Sequence, residues 1–493
     1  MNGKMIPQQE YTFTALPTKR LRMLEGWAMV KRAPDYVWQP TTIDEIREVL
    51  ALARSGDRRV APRGAGYSYN DAALNTEEIV LDLSHMRRVL AWDAESGVIT
   101  VEPGVTIRDL WRTTLPDGWW PAVVPGTMGP TIGGCAAMNV HGKNAWKDGP
   151  IGEHIRAFDL LFPTGKLQTV TPEGDPELFH AAIGGLGMLG VITRVELQTR
   201  RVPSGVLSVR QRAARSLAEM FAVFAEEASA ADYMVGWIDG FAAGESLGRG
   251  LIECANFTDQ GDPRFLQPAN QDLPSRIAGV IPRGELWRGM RYVFTDPAMR
   301  LANTAQFTRG ALSTHPHLVP HAQFHFFHDY VPNWKRAWLP GGLRQFQAFV
   351  PASFAPAVFT GLLERSQRAG IYPYLCVFKQ HRADDFLLSY QVDGFSLSLD
   401  YRVTTRNASR LDELFASMRI PVLAAKGRFY LAKDDALHSS EYVRSMGADT
   451  IDRFYAMRHA CDPDEILRSN LYRRVVPLEA MEEDEMEEDE EDE

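Results

Sequence analysis

The segment Val123–Asn144, VVPGTMGPTIGGCAAMNVHGKN, constrains the fold more than any other part of this chain, because it holds five glycines. Glycine lets backbone pass close to another group, or turn where a Cβ atom would collide. Two more glycine-rich elements, PRGAGYSYND (Pro62–Asp71) and GGLGMLGVIT (Gly184–Thr193), follow or border predicted strands. Taken singly, each indicates ordinary tight turns. The alternative is a set of backbone amides that converge on a phosphate.

The net charge of −10 on the 493-residue chain comes from its last residues. Residues 481–493 contain 11 acidic and no basic side chains, so the rest of the chain carries +1. A segment of this composition repels itself, and we expect residues 479–493 to form a disordered acidic tail. The sequence has no basic run or stripe, which argues against a nucleic-acid partner.

The cysteines and the apolar runs indicate a cytoplasmic protein. Cys135, Cys254, Cys376 and Cys461 lie far apart, without the spacing of a metal site or a disulfide framework, as is typical of reduced thiols. The first 20 residues lack the apolar segment of a signal peptide. No apolar run approaches the roughly 20 residues needed to span a bilayer, although attachment to a membrane surface stays open.

Periodicity predicts an α/β arrangement up to about residue 200 and a sheet with helices beyond it. Pro40–Gly56 has the pattern of a helix that starts at a capping box and ends at Gly56, which suits the left-handed position after a helix. Strand and helix patterns alternate after it. Farther on, LRQFQAFVP and GFSLSLDYRV alternate as strands and indicate an antiparallel sheet with helices on one face. Residues 245–330 have an irregular pattern.

Together, the three glycine-rich elements and the segment DLLFPTGKLQTVTPEGDPELFHAAIGGLGMLGVIT resemble the FAD-binding domain of the vanillyl-alcohol-oxidase family. The likeness resumes in GGLRQFQAFVP, LCVFKQ, GFSLSLDY, KGRFYLAKD and MRHACDPDEIL, so it covers most of residues 25–475. Within that family, the chain resembles most the branch that oxidises polyprenylphosphoryl pentoses in cell-wall precursor synthesis. The resemblance implies an α+β fold, with a two-subdomain FAD-binding domain of the PCMH type and a substrate domain whose antiparallel sheet is flanked by helices.

The same resemblance implies how the chain is divided. An FAD-binding domain would cover residues 20–200 and a substrate-binding domain residues 201–427. A C-terminal segment, residues 428–475, would return to the FAD domain.

The cofactor that the resemblance implies is FAD. The first glycine-rich element would wrap the pyrophosphate and the flavin edge, and the second would line the other side. The implied cofactor-binding residues are Arg63, Gly64, Ala65, Gly66, Tyr67, Ser68, Tyr69, Asp71, Gly126, Thr131, Ile132, Gly133, Gly134, Met138, Asn139, Val140, His141, Ile192 and Tyr430. Relatives with covalent flavin often carry a histidine in the first loop, which here reads GYSY. His141 offers another attachment point, but the nearest branch implies non-covalent FAD.

Oxidation of a sugar's secondary hydroxyl needs an acceptor for the hydride and a base for the proton. The candidate catalytic residues are Lys433, Tyr69 and His141, and the candidate substrate-binding residues are Lys379, Gln345, Gln347 and Ser398. Gln345 and Gln347 share one face of a predicted strand, and the lysines suit a phosphate on the substrate. The resembling branch has a cysteine where this chain has Ser398, so thiol chemistry is lost there.

Five histidines between His315 and His328 suggest a different function. Two pairs, His321 with His325 and His325 with His328, would share a helical face and suit a metal. Prolines interrupt the segment, however, and flavin chemistry requires no metal. We therefore expect no metal site.

Three functions stay open at this point. The first is FAD-dependent oxidation of a sugar hydroxyl, on a polyprenylphosphoryl pentose, as the 2-oxidase half of an epimerisation that an NAD(P)-dependent reductase partner completes. The second is an aldonolactone oxidase or another flavin alcohol oxidase, although MRHACDPDEIL lacks the His-Trp-Gly pattern that we associate with lactone oxidases. The third is a non-catalytic flavin-binding scaffold. A polyprenyl substrate would bring a cytoplasmic enzyme to the membrane surface.

Overall fold

The computed structural model describes residues 16–272, 275–277, 280–313 and 315–476. The predicted acidic tail lies outside these residues. Three large sheets, of four, six and eight strands, build the described part of the chain, and a two-stranded ribbon accompanies them.

The first sheet comes from the N-terminal part of the chain. Its strands are β1 (Leu21–Glu25), β2 (Arg32–Trp38), β3 (Val60–Arg63) and β4 (Ile79–Asp82), with helix α1 (Ile43–Ser55) between β2 and β3. The spatial order is β1-β2-β4-β3, and β4 pairs in parallel with both of its neighbours. Its buried side packs in the main hydrophobic core.

The predicted helix is confirmed, but its C-terminal end differs in detail. Thr42 caps α1, because its side chain accepts a hydrogen bond from the Glu45 amide at 3.2 Å. Gly56 has a φ of −102°, and the left-handed residue is Asp57, with a φ of 49°. The prediction for Gly56 was wrong because the chain leaves the helix one residue later, and an aspartate tolerates that region.

The second sheet is antiparallel throughout. Its strands are β5 (Val89–Asp93), β6 (Val98–Val101), β7 (Trp119–Pro121), β8 (Ile155–Leu161), β9 (Leu167–Val170) and β10 (Val191–Arg201). The helices of this region are α2 (Ile107–Thr114), α3 (Ile132–Ala137), α4 (Ala145–Asp148) and α5 (Pro176–Ala182). The order is β5-β6-β10-β8-β9, with β7 also paired to the long strand β10.

The third sheet follows from residue 206 and is also antiparallel. The strands of this region are β11 (Val206–Ala214), β12 (Tyr233–Ile238), β13 (Gly250–Phe257), β14 (Arg276–Ile277), β15 (Ile281–Pro282), β16 (His317–Pro320), β17 (Leu343–Pro351), β18 (Leu375–His381), β19 (Gly394–Arg402) and β20 (Arg428–Phe429). The sheet order is β16-β11-β13-β12-β18-β19-β17-β20, and β14 with β15 forms the ribbon.

Ten helices of the described chain accompany the third sheet and the C-terminal segment. They are α6 (Leu217–Glu227), α7 (Pro268–Gln271), α8 (Leu286–Val293), α9 (Asp296–Leu312), α10 (His321–His325), α11 (Ala355–Arg368), α12 (Ala408–Ala424), α13 (Ser439–Met446), α14 (Ala448–Cys461) and α15 (Asn470–Val475). The α+β fold class predicted above is confirmed.

The two faces of the third sheet differ in chemistry because side chains alternate along each strand. Apolar residues such as Phe378 point to α6 and α11, where its ring lies 4.9 Å from that of Phe224 and 6.0 Å from that of Phe359. The residues between them, including Gln347 and Lys379, point to the opposite side and line a cavity.

The expectation of irregular structure over residues 245–330 was wrong. This region contains β13 and the 17-residue helix α9. The apolar residues of α9 do not form one buried face, since Leu301 and Leu312 are 72% and 80% exposed, and this hides the helical period. Within the described residues, no helix combines the length and the apolar character needed to cross a bilayer.

Candidate active site

A cavity of about 540 Å³ lies between the glycine-rich elements and the polar face of the third sheet. Four parts of the chain contribute to its lining: the loops around residues 62–73 and 124–143, residues 186–192, the central strands of the third sheet, and the segment after β20. All three glycine-rich elements therefore border one space.

Glycines of the first two elements let their loops pack tightly together. A Cβ atom on Gly64 would lie 2.1 Å from Thr131 Oγ1, and one on Gly129 would lie 2.0 Å from the Tyr67 hydroxyl oxygen. Gly66 has a φ of +71°, which other residues rarely adopt. At these three positions glycine is required by protein packing and turning.

Gly134 is different, because a Cβ atom there would point into the cavity. The nearest atom it would meet is Thr131 Oγ1, at 3.2 Å, and the residue lines the cavity. At the neighbouring Gly133 a Cβ would instead lie 2.6 Å from Cβ of Pro103. The wall at Gly134 is thus exposed backbone, and an added side chain would fill the space in front of it. A phosphate-bearing group requires such close approach to backbone amides.

Most of the predicted cofactor-binding residues border this cavity. They are Arg63, Gly64, Ala65, Gly66, Tyr67, Ser68, Tyr69, Gly126, Thr131, Gly133, Gly134, Met138, Val140, His141, Ile192 and Tyr430. Their roles toward the cofactor stay predictions.

Three predicted cofactor-binding residues lie outside the cavity lining and support it from behind. The Asp71 carboxylate accepts two hydrogen bonds from the Arg474 guanidinium, at 2.8 and 3.0 Å. Asn139 Oδ1 accepts one from the Gly152 amide at 3.0 Å, and Ile132 is fully buried. Their neighbours in sequence reach the cavity, but these side chains point into the protein.

The predicted substrate residues Lys379, Gln345, Gln347 and Ser398 all line the opposite wall. The register of the central strands brings them together: Gln347 pairs with Ser398, and Gln345 pairs with Asp400. On the other side of β19, Lys379 pairs with Ser396. Because paired residues of antiparallel strands point to the same face, this wall is a continuous row of polar side chains.

Lys433 and Tyr69, two of the predicted catalytic residues, contact each other. Lys433 Nζ lies 3.3 Å from the centre of the Tyr69 ring, a cation–π geometry. The backbone fixes this contact, since the Tyr69 amide donates to the Ala432 carbonyl at 2.8 Å. Trp27 also stacks on Tyr69, with ring centres 4.8 Å apart.

His141, the third predicted catalytic residue, is neutral and held by a tyrosine. Its Nδ1 lies 2.9 Å from the Tyr390 hydroxyl, and that hydroxyl donates to the Asn139 carbonyl at 2.5 Å. Because the hydroxyl proton is used in that bond, we assign the proton between them to Nδ1, which leaves Nε2 as an acceptor. Burial, with Lys379 and His381 nearby, lowers the pKa of His141 well below 6.5.

Two further lysines, Lys379 and Lys143, border the cavity. Burial, together with Lys143, lowers the pKa of Lys379 to about 7. Lys143 lies 3.9 Å from the Glu253 carboxylate and also donates to the Phe324 carbonyl. The cavity wall therefore combines an easily deprotonated lysine with a paired one.

Sequence reasoning missed Asp400 and did not assign Lys143 or His328 to the cavity, yet all three line it. The signal for Asp400 is the period of two in GFSLSLDY, which puts it on the same face as Ser396 and Ser398. Lys143 belongs to the HGKN motif. His328 was considered only as part of a metal cluster, and no local pattern indicates that it reaches Gly126.

Two histidines of the cluster weighed as a metal site, His321 and His325, are part of an aromatic stack. His321 and His325 lie on the Trp120 ring, with centres 4.9 and 5.4 Å away, and His321 Nε2 lies 3.1 Å from the Ser204 carbonyl oxygen. In the described residues, no three His, Cys, Asp or Glu side chains are grouped so that they would hold a metal ion.

Several buried polar atoms at the cavity have no partner in the described protein. They are Gln345 Oε1, Asp400 Oδ2, His325 Nδ1 and Nε2, and His328 Nδ1. Buried polar atoms are normally hydrogen-bonded, so such a cluster along one cavity indicates a space built for a polar ligand and ordered water.

Comparison with known proteins agrees with this geometry. Residues 34–171 match the model of the FAD binding domain. The chain is similar to decaprenylphosphoryl-β-D-ribose oxidase of Mycolicibacterium smegmatis, with 29% identity over 94% of this chain and 99% of that protein. It is also similar to L-gulonolactone oxidase of Bos taurus, with 34% identity over 35% of this chain and 39% of that protein. D-lactate dehydrogenase of Anaerostipes hadrus is 28% identical over 36% of this chain and 39% of its own length.

Proposed function

The chain belongs to the vanillyl-alcohol-oxidase family of FAD-dependent oxidoreductases, and from that premise we propose that it oxidises a secondary hydroxyl of a phosphate-bearing, lipid-linked pentose. The observation that carries the proposal is the pairing, within one cavity, of a glycine wall with the polar row of Lys379, Gln347, Ser398 and Gln345. The first wall suits a dinucleotide, and the second suits a sugar and an anionic group.

The residues of the cavity fit FAD. The concave backbone at Gly134 would hold the pyrophosphate, and Tyr430 and His141 would border the flavin. We propose that the cofactor is bound without a covalent link, since the first loop has no histidine. FAD, when bound, supplies the acceptor for the two electrons of the oxidation.

The side chains of the opposite wall would orient the substrate and accept its proton. The hydroxyl carbon gives up a hydride, and the hydroxyl oxygen gives up its proton to Lys433 Nζ. Burial lowers the pKa of Lys433 below the ordinary 10.5, so the neutral amine needed for this step is available at lower pH than in a solvated lysine. Tyr69 holds that amine in place through its ring.

The proposal of a lipid-linked phosphate rests on the cations and on the surface beside the cavity. Lys379 borders the polar row and would bind the phosphate as a compact charge. The similar oxidase of Mycolicibacterium smegmatis is named for a decaprenylphosphoryl ribose, which supports the same class of substrate. The ketone product would then pass to a separate NAD(P)-dependent reductase, completing an epimerisation.

Residues 280–330 support attachment of this cytoplasmic enzyme to a membrane surface. Large apolar side chains are exposed there, at Val280, Tyr292, Leu301, Leu312 and Phe327. Phe327 also lines the cavity, so the apolar surface adjoins the space where the sugar would lie. An exposed apolar surface of this kind suits a lipid interface.

Sedimentation with vesicles of phosphatidylglycerol tests the membrane proposal. We expect the protein to sediment with the vesicles and the double variant Leu301→Glu/Leu312→Glu to remain in solution. Leu167→Glu, on the distant strand β9, is the matched control and should sediment like the wild type. A wild-type protein that stays in the supernatant contradicts the proposal.

The enzyme proposal is tested by spectroscopy followed by anaerobic reduction. The purified protein should show a flavin spectrum, and after acid precipitation the colour should pass into the supernatant. Colour retained in the pellet would show a covalent link. Under anaerobic conditions, polyprenylphosphoryl ribose should then bleach the bound flavin.

The same assay separates the alternative functions. Bleaching by L-gulono-1,4-lactone but not by the phosphoribosyl lipid would favour an aldonolactone oxidase. The similarity to L-gulonolactone oxidase over 35% of this chain makes that lactone the relevant comparison. Bound flavin that no sugar alcohol or lactone reduces would favour a non-catalytic scaffold.

A further inference from the structure

Asp400 belongs to the polar wall of the cavity that the proposed base, Lys433, also lines. It is 1% exposed, on strand β19 opposite Gln345 of β17 and Leu375 of β18. Its Oδ1 accepts a hydrogen bond from the Gln345 side-chain amide, while its Oδ2 has no partner in the described protein. A carboxylate this deeply buried is normally paired or fully hydrogen-bonded, so the site is incomplete unless a nearby cation balances it.

The titratable groups around Asp400 come from four parts of the chain. Lys433 faces it from the segment after β20, and Tyr69 from the first glycine-rich loop. Cys376 of β18 and Tyr401 of β19 lie nearby and are buried in their neutral forms. Lys433 is therefore the cation that acts on Asp400.

Lys433 is in turn surrounded by groups that act on its charge. Lys379 disfavours the ammonium form, whereas Asp400 favours it against the effect of burial. Lys433 also acts on His141 and His328, and the pKa of both histidines is lowered, mainly by burial. Burial raises the pKa of Asp400, and Lys433 opposes that rise.

We propose that Asp400 is a positioning residue for Lys433: from within the same cavity, its carboxylate balances the positive charge that appears when the Lys433 amine takes the substrate proton. This inference rests on the proposed function. In the step, the substrate C–H bond breaks, and FAD, when bound, would supply the acceptor for its electron pair. The O–H bond breaks as well, and its proton forms the third N–H bond of the Lys433 ammonium. The Asp400 carboxylate stays ionised and neutralises that ammonium within the cavity.

The test is the substitution Asp400→Asn, read out by competitive acetylation of lysines across pH in the flavin-loaded protein. The asparagine keeps an oxygen for Gln345 but loses the charge that favours the Lys433 ammonium. We expect the midpoint at which Lys433 becomes reactive to fall by about one pH unit, the scale of a single neighbouring charge. The acid limb of anaerobic flavin reduction should move by the same amount.

Lys379 provides an internal reference in the same spectra. Burial and Lys143 determine its lowered pKa, so its midpoint should stay in place in the variant. Asp412→Asn, which removes an exposed carboxylate partner of Arg344, is the matched control and should leave both midpoints unchanged. If Asp400→Asn folds poorly, Asp400→Ser loses the same charge with a smaller side chain and should give the same shift.

The outcomes distinguish this inference from the proposed function. A Lys433 midpoint that stays or rises overturns the inference, as does an equal fall at Lys379, which would reflect a general change of the cavity. The labelling needs no substrate, so a protein that oxidises no sugar can still show the Lys433 shift, and a sugar oxidase can fail to show it.

Discussion

The two walls of the cavity are built in opposite ways. One wall is formed by backbone, because Gly64, Gly129 and Gly134 have no side chains and so let loops and a ligand approach closely. The other wall is formed by side chains, since Lys379, Gln347 and their neighbours project from three paired strands. The residues of the backbone wall can therefore be predicted from a local sequence motif, whereas those of the side-chain wall depend on strand register.

The consequences of mutation should differ in the same way. Adding atoms to the backbone wall at Gly134 would fill the space proposed for the cofactor, and we expect an all-or-none effect on binding. Removing atoms from the side-chain wall leaves the cofactor in place and changes rate, affinity or pH dependence. The first three of the four predictions below test that difference, and the fourth concerns the packing outside the cavity; they run from the largest expected effect to the smallest.

Gly134→Val should abolish FAD binding while the protein stays folded. The added side chain would meet only Thr131 Oγ1 before it enters the cavity, so it would occupy the space proposed for the pyrophosphate. The ratio of flavin to protein absorbance measures the effect, and circular dichroism measures the fold. Gly361→Val, in helix α11 with no heavy atom within 4 Å of the new Cβ, should keep full flavin content. Normal flavin content in Gly134→Val would place the cofactor elsewhere.

Lys433→Ala should leave FAD bound and slow anaerobic flavin reduction by roughly 10²- to 10⁴-fold, the usual contribution of a general base. In the wild type, the rate should rise with pH in a range well below 10.5, because the lowered pKa of Lys433 frees the amine there. Stopped-flow absorbance measures both. Lys433→Arg is the informative control, since a guanidinium keeps the charge but cannot accept a proton, and it should stay slow. A near-wild-type rate in either variant removes Lys433 from the mechanism.

Lys379→Ala should weaken substrate binding more than it slows the chemical step. A hydrogen bond to a charged group contributes about 1.5–3 kcal/mol, so the substrate concentration for half-maximal reduction should rise roughly 10- to 100-fold. Titration of the reduction rate with the phosphoribosyl lipid gives this value. The exposed Lys19 supplies the control variant Lys19→Ala, which should behave as wild type. An unchanged concentration dependence at Lys379 would mean that the phosphate lies elsewhere.

The smallest effect concerns stability at acid pH and comes from the stacked histidines. Burial lowers the pKa of His321 to about 4. Between that pH and about pH 6.5, His321 therefore stays neutral in the folded protein but binds a proton in the unfolded chain. The contribution of neutral, buried His321 to the free energy of unfolding is complete above about pH 6.5 and is lost as the pH falls toward 4. The loss attributable to His321 should be on the order of 2 kcal/mol at pH 5.

Urea unfolding at pH 7 and pH 5 measures that loss. In His321→Gln the difference in unfolding free energy between the two pH values should be smaller than in the wild type. His85→Gln, at an exposed position, should keep the wild-type difference. An unchanged difference in His321→Gln would indicate that other groups cause the acid sensitivity.

The parts that could be predicted are those whose cause is local. The capped helix α1, the strands LRQFQAFVP and GFSLSLDYRV and the glycine-rich loops all follow from spacing along the chain. Asp71 and Asn139 show the limit: both stand in the correct loops, but their side chains point away, toward Arg474 and Gly152. Side-chain direction in an irregular loop depends on which partners the rest of the chain supplies.

The sequence by itself indicated three glycine-rich elements in which backbone passes close to another group, and a sheet of alternating apolar and polar residues farther along the chain. Glycine content and the strand period of two carry that information locally, whereas the expectation of FAD came from the resemblance. Only the tertiary structure decided that Asp400 lines the same cavity as Lys433, and that the histidines near residue 321 stack on Trp120. Those contacts join residues far apart in the chain, and their energies depend on burial and on neighbouring charges that exist only once the sheets have packed together.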